Sequence, residues 1–164
     1  MTGSRIRARP HGRTSSLLGL LGFGAVVAAV AVVGSLAVGG GGREYAQLDR
    51  PAWAPPAWVF APVWTVLYAA IAVAGWLVWR RVGLGAPLVP YAVQLVLNAL
   101  WTPLFFGAGA YGPAAVEIVL LWLAIGATVV VFHRVHPVAA WLLVPYGAWV
   151  TYAAALTIAI WWRT

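Results

Sequence analysis

Five apolar runs divide this chain, at about 15–38, 58–79, 88–106, 113–132 and 138–162. A helix needs about 20 apolar residues to cross a ~30 Å hydrocarbon core, so each run is long enough or nearly so. Only 8% of the 164 residues are charged and 63% are hydrophobic. A soluble domain carries roughly a quarter charged residues, which excludes that class here. In lipid every backbone polar group must be satisfied internally, and isolated apolar runs of this length do so as helices. The expected fold is an all-α integral membrane protein, a five-transmembrane-helix bundle. Residues 15–164 form its single domain, and 1–14 form a basic, disordered tail.

The tail holds Arg5, Arg7, Arg9 and Arg13. A basic start before an apolar run also describes a secretory signal peptide. The run is longer than the usual signal core, and Gly39–Gly42 makes a poor cleavage site, so a retained first span is expected. The net charge of +7 comes from ten arginines against Glu44, Asp49 and Glu117. Those arginines sit at the ends of apolar runs rather than in a basic patch interleaved with aromatics, which argues against nucleic-acid binding. Seven of them fall on the tail, the Arg80-Arg81 turn and the Arg134 turn, which share one side in a five-span chain. Three fall on the other side, Arg43, Arg50 and Arg163. The positive-inside rule then makes the N-terminus cytoplasmic, with the long first loop outside. A bacterial cell (inner) membrane is the expected location.

That loop leads into RPAWAPPAWVFAPVWTVLY, residues 50–68. Pro51, Pro55 and Pro56 hold φ near −65° and donate no hydrogen bond, so the segment reads as a stiff turn over the mouth of the second span. Pro62 suits the first helical turn. Phe60, Trp64 and Tyr68 recur every four residues and share a helix face. In the third span Gln94, Asn98, Trp101, Thr102 and Phe105 share a face. Lipid offers amides no partner, so Gln94 and Asn98 either bond neighbouring helices or, for Asn98, line a pocket. In the fifth span Trp141, Pro145, Trp149, Tyr152 and Leu156 are placed on one face, with a kink expected at Pro145. Trp161 and Trp162 read as interfacial anchors. Glu117 lies about one turn into the fourth span, and reads either as a polar anchor in a cavity or as a group reaching the interface. His133 and His136 read as members of a solvated turn, since a metal site needs more ligands than these.

No Cys is present, and no Ser/His/Asp set, paired carboxylates, phosphate loop or metal-ligand cluster occurs. Hydrolytic and phosphoryl-transfer chemistry is therefore not expected. What remains is a bundle with an aromatic, weakly polar pocket near one face.

PAWAPPAWVFAPVWTVLY, LNALWTPLFFG and VPYGAWVTYAAAL, in that order, closely resemble the TspO/MBR family. These are the tryptophan-rich sensory proteins related to the mitochondrial translocator protein, or peripheral benzodiazepine receptor. The resemblance runs from about Tyr45 to Trp162. It implies a five-helix bundle, often dimeric, with a pocket below the first loop. The ligands it implies are tetrapyrroles such as protoporphyrin IX, sterols in some members, and benzodiazepine-type drugs; no cofactor is required. Matched motif by motif, the family's loop tyrosine and tryptophan are similar to Tyr45 and Trp53. Its helix tryptophans are similar to Trp64, Trp101 and Trp149, and its asparagine to Asn98. Phe60, Tyr68, Thr102 and Tyr152 complete the expected ligand-binding set. Some bacterial members are reported to break down porphyrin in light, which would give Trp64 and Trp149 a catalytic part. The resemblance thus implies a receptor or carrier, with a light-dependent porphyrin-degrading enzyme and a regulatory partner protein holding lipid as alternatives. The sterol pattern of animal members needs a basic residue after a tyrosine, and after Tyr152 none follows until Arg163. Small residues in the first span (Gly19, Gly22, Gly24, Ala28) and GAGAYG after the third suit close helix approach, hence a homodimer.

Overall fold

The computed structural model describes residues 13–38 and 45–164. Most of the expected tail, together with Gly39–Gly42, Arg43 and Glu44, lies outside the described residues. Five long helices stand among the described residues: α1 (Arg13–Val38), α2 (Phe60–Val82), α3 (Val89–Thr102), α4 (Tyr111–Val135) and α5 (Pro137–Trp161). No strand occurs among the described residues. With their flanking turns, all five are long and apolar enough to cross a membrane. The chain is an integral membrane protein of five-helix type.

Local chemistry sets the helix ends. Pro56 is extended (φ −64°, ψ 147°), and a short 3₁₀ turn, Ala57–Val59, starts the entry to α2. At the other end of α2, Gly83 takes φ 69° and its N–H donates to the Trp79 carbonyl at 2.7 Å. Only glycine adopts that left-handed conformation at little cost. The third span departs from a plain α-helix. Pro103 cannot donate to the preceding turn, and its ring crowds the carbonyl there. The backbone answers with a π-helical turn, Pro103–Gly107, in which the Ala108 N–H reaches the Pro103 carbonyl at 2.9 Å. This turn completes a run from Ala86 to Gly107 of 22 residues, whereas the α-helical part alone has 14.

Between α4 and α5 the expected turn at His133–Pro137 shrinks to His136 alone. His133 and Arg134 belong to the last helical turn of α4. Positive charge is favourable at a helix C-terminus, so nothing drives these residues out of the helix. His136 is extended (φ −151°, ψ 94°), as the residue before a proline prefers. The α5 helix continues through Pro145.

Around the bundle the helices follow the order α1, α2, α5, α4, α3, with α3 closing back on α1. The α4–α5 seam is the most extensive. Despite their short connection, α2 and α3 are not close backbone neighbours. Side chains bridge them instead: the Tyr91 hydroxyl donates to the Ile71 carbonyl at 3.0 Å. Gly75 makes room for this, since a Cβ there would strike Tyr91 and Phe23.

The buried face of α5 runs through Leu143, Tyr146, Val150, Ala153, Thr157 and Ile160. The stripe read from sequence through Trp141 and Pro145 is therefore corrected, because both lie on the outer face. A spacing of four turns about 40° past one helical repeat at each step, so the stripe winds off the core face. In α1 only Val27 is buried among the described residues.

Two ends of the bundle can be told apart. At one, the Trp76 indole donates to the Ser16 carbonyl at 2.8 Å, and Arg81 donates to the Val135 carbonyl at 3.2 Å. The start of α1 and the ends of α2 and α4 therefore meet there. At the other, the segment 45–56 lies over the start of α2, the π-helical turn and the last turns of α5.

Candidate functional site

Residues 45–56 form a lid pinned at both ends. Tyr45 is buried and donates its hydroxyl to the Pro55 carbonyl at 3.1 Å. Its ring meets Phe60 edge-on at 5.4 Å, and the Arg50 guanidinium lies over it at 4.6 Å. Burial pushes the Tyr45 phenol up, and Arg50 offsets part of that. At the lid's centre the Trp53 carbonyl accepts the Tyr152 hydroxyl at 2.9 Å, and the two rings pack at 5.6 Å.

Beside Tyr45, at the same end of the bundle, is a cavity of about 410 Å³. Its walls come from α1 (Ala31, Gly34, Ser35, Val38), the start of α2 and the end of α3. Six of the expected binding residues line it: Tyr45, Phe60, Trp64, Tyr68, Trp101 and Thr102. Trp53, Asn98, Trp149 and Tyr152 do not. Trp149 stands behind Phe60, ring to ring at 5.8 Å, and meets Tyr152 at 5.6 Å. Trp53 and Tyr152 form the lid clasp. Asn98 is buried one layer back, where its Oδ1 accepts the Tyr68 hydroxyl at 2.9 Å. Within the wall, Trp64 packs against Tyr68 at 5.1 Å and against Tyr146 at 6.1 Å. Trp101 stacks on Phe105 at 5.1 Å.

The polar contacts behind the wall form a chain. Asn98 Nδ2 donates to the Tyr146 hydroxyl at 3.0 Å, and that hydroxyl donates to Gln94 Oε1 at 2.9 Å. Gln94 therefore bonds across to α5, one of the two roles read for amides in this span. Gln94 Nε2 is buried without a partner, as are the indole nitrogens of Trp101 and Trp149 and both Glu117 oxygens.

The sequence reading missed Ala57, Ala61, Thr65 and Phe106 in the wall, and two larger contributors. The α1 wall was one: Ala31, Gly34, Ser35 and Val38 share a face at helical spacing, and their small size is the signal that a gap lies beside them. Tyr146 was the other. It is fully buried, and its place between Leu143 and Val150 was the available signal.

The cavity surface is mostly aromatic and aliphatic, with Ser35, Thr65 and Thr102 among its polar points and no charged side chain in the wall among the described residues. Such a surface suits a flat apolar ligand with few polar groups.

Comparison with known proteins agrees with the motifs. Translocator protein from Homo sapiens is 44% identical over 135 residues, covering 79% of this chain and 80% of that one. Translocator protein from Sus scrofa is 43% identical over 129 residues, 76% of each. Tryptophan-rich protein TspO from Chlorobaculum tepidum is 40% identical over 120 residues, 71% of this chain and 76% of that one. Residues 23–163 match the TspO/MBR family, and the chain belongs to it.

Proposed function

We propose that this chain is a membrane receptor or carrier that binds a flat aromatic ligand of the tetrapyrrole class, such as protoporphyrin IX, in the cavity under the lid. The observation that carries this reading is the aromatic wall of Tyr45, Phe60, Trp64, Tyr68 and Trp101 around about 410 Å³. That volume falls in the roughly 300–1,000 Å³ range of small-molecule sites. The relatives' names, translocator and tryptophan-rich protein, suit a carrier or receptor. Sterols and benzodiazepine-type drugs share the flat apolar chemistry. The same reading puts the chain in a bacterial inner membrane, N-terminus cytoplasmic and lid outside. It also gives it a homodimeric state: Gly19 packs against Trp79 within one copy, but Gly22 and Gly24 face open space that a second copy can use.

Light-driven pigment breakdown is a second reading, favoured by the place of Trp64 in the cavity wall. The experiment is a titration of protoporphyrin IX into the purified protein, following tryptophan fluorescence in the dark and pigment absorbance under light. Quenching without pigment loss supports the receptor. Pigment loss supports the enzyme. No quenching and no loss sinks both and leaves a lipid-filled regulatory protein.

A further inference from the structure

We propose that the cavity is entered sideways from the membrane, through a mouth between α1 and α2, and so takes ligands dissolved in lipid rather than ligands arriving from water past the lid. This rests on the reading of the cavity as a site for flat aromatic ligands.

Four described members of the cavity wall are exposed: Ser35, Ala57, Ala61 and Thr65. One stands on α1. The other three rise in steps of four along one edge of α2 and the turn before it. A residue that both lines the cavity and lies on the surface of the bundle marks where the cavity opens. The other described wall residues are buried or half-buried, and Tyr45 and Trp101 are only 2% and 8% exposed. Thr65 is five residues past the start of α2, about 8 Å along the axis, so the mouth lies in the leaflet at the lid end.

The course of α1 explains the opening. Ala61, Thr65, Tyr68, Ala72, Trp76 and Trp79 share a face of α2. On the part of that face far from the lid, α1 lies close. Gly19 leaves no room for a Cβ beside the Trp79 ring, Phe23 packs against Trp79 at 6.3 Å, and Ala72 is buried. Nearer the lid α1 has crossed to α3, where a Cβ on Gly34 would stand 3.5 Å from Thr102 Oγ1. The two helices therefore splay, and the cavity fills the gap between them. The polar residues at the mouth are suited to lipid. Ser35 donates to the Ala31 carbonyl at 2.9 Å and Thr65 to the Ala61 carbonyl at 2.8 Å, so neither hydroxyl proton is left without an acceptor in hydrocarbon. A flat apolar ligand partitions into the bilayer before it binds, and the mouth meets it there.

The test follows protoporphyrin IX entering the full chain in lipid nanodiscs, by stopped-flow quenching of tryptophan fluorescence. A mouth is crossed in both directions, so narrowing it slows association and dissociation together, whereas a lost wall contact only speeds dissociation. Ala61→Leu and Thr65→Phe are each expected to slow both rates several-fold. Both positions are exposed, so the added bulk has room, and leucine suits a helix. Val66→Phe, at a position 68% exposed and outside the wall, is expected to keep the parent rates. Association at the parent rate in either mouth variant, or equal slowing in Val66→Phe, overturns the lateral entry and leaves the cavity reading standing. No quenching in the parent overturns both.

Discussion

Tyr152 and Trp53 stand 99 residues apart in sequence and meet twice, hydroxyl to carbonyl at 2.9 Å and ring to ring at 5.6 Å. The contact ties the last turns of α5 to the middle of the lid. Tyr45 ties the lid's start to Pro55 at 3.1 Å. The lid is thus clasped by hydrogen bonds to its own carbonyls, and the side chain of Trp53 is left half-exposed.

Tyr152→Phe should loosen the lid while sparing the helices. The lost bond is partly solvated, so the cost is at the low end for a hydrogen bond, about 0.5 kcal/mol. Hydrogen exchange of the backbone amides at Ala52, Trp53 and Ala54 should quicken, with exchange in α2 and α5 unchanged. Equal exchange in parent and variant would show that the clasp does not hold the lid.

Replacing Pro55 and Pro56 together with glycine should weaken ligand binding while keeping the hydrogen bonds to their carbonyls. The carbonyl of residue 55 still accepts from Tyr45. Each Pro→Gly change adds conformational freedom to the open lid, worth about 0.4–1 kcal/mol. Protoporphyrin IX affinity should fall several-fold, with the far-ultraviolet helix signal intact. Unaltered affinity would place the lid outside the site.

Trp64 and Trp149 should differ. Trp64 is in the cavity wall, and Trp149 reaches the cavity only through Phe60. An aromatic contact contributes about 0.5–1.5 kcal/mol beyond area burial. Trp64→Phe should therefore reduce porphyrin affinity several-fold, and Trp149→Phe by less. Should the enzyme reading hold, the bleaching rate should fall most in Trp64→Phe. A larger binding loss in Trp149→Phe would contradict the geometry.

Gly75→Ala should destabilise the bundle. The added Cβ strikes the Tyr91 ring and Phe23, and Tyr91 then loses its bond to the Ile71 carbonyl. Overpacking of this kind costs about 1–3 kcal/mol. The thermal midpoint in detergent should drop, and a double change, Gly75→Ala with Tyr91→Phe, should not recover it, because the ring is still in the way. A Gly75→Ala midpoint equal to the parent's would refute the close approach.

Single cysteines at Ala52 and Leu84, both exposed, test the orientation in this Cys-free chain. An impermeant thiol reagent should label position 52 from outside the cell and position 84 only after the cytoplasmic face is opened. Labelling of both from one side would overturn the five-span arrangement.

The number of spans was legible because length and apolarity alone decide whether a helix is stable in lipid. Arg80-Arg81, Gly83 and the prolines mark the ends by local chemistry that needs no partner. The aromatic stripe Phe60–Trp64–Tyr68 was legible for a similar reason: four-residue steps on one short segment stay on one face. Over the longer reach from Trp141 to Leu156 the same step winds around the helix, and only packing against α4 and α2 shows that Trp141 and Pro145 point outward. The π-helical turn at Pro103 was not readable either, because proline excludes one hydrogen bond without saying which register replaces it. Most of all, the roles of Gln94, Asn98 and Tyr146 belong to the tertiary structure. An amide in a membrane must find a partner, which sequence states plainly. Which partner it finds depends on α3 and α5 being brought together across about 50 residues of chain. That pairing follows from the ring order of the helices, which no local pattern contains.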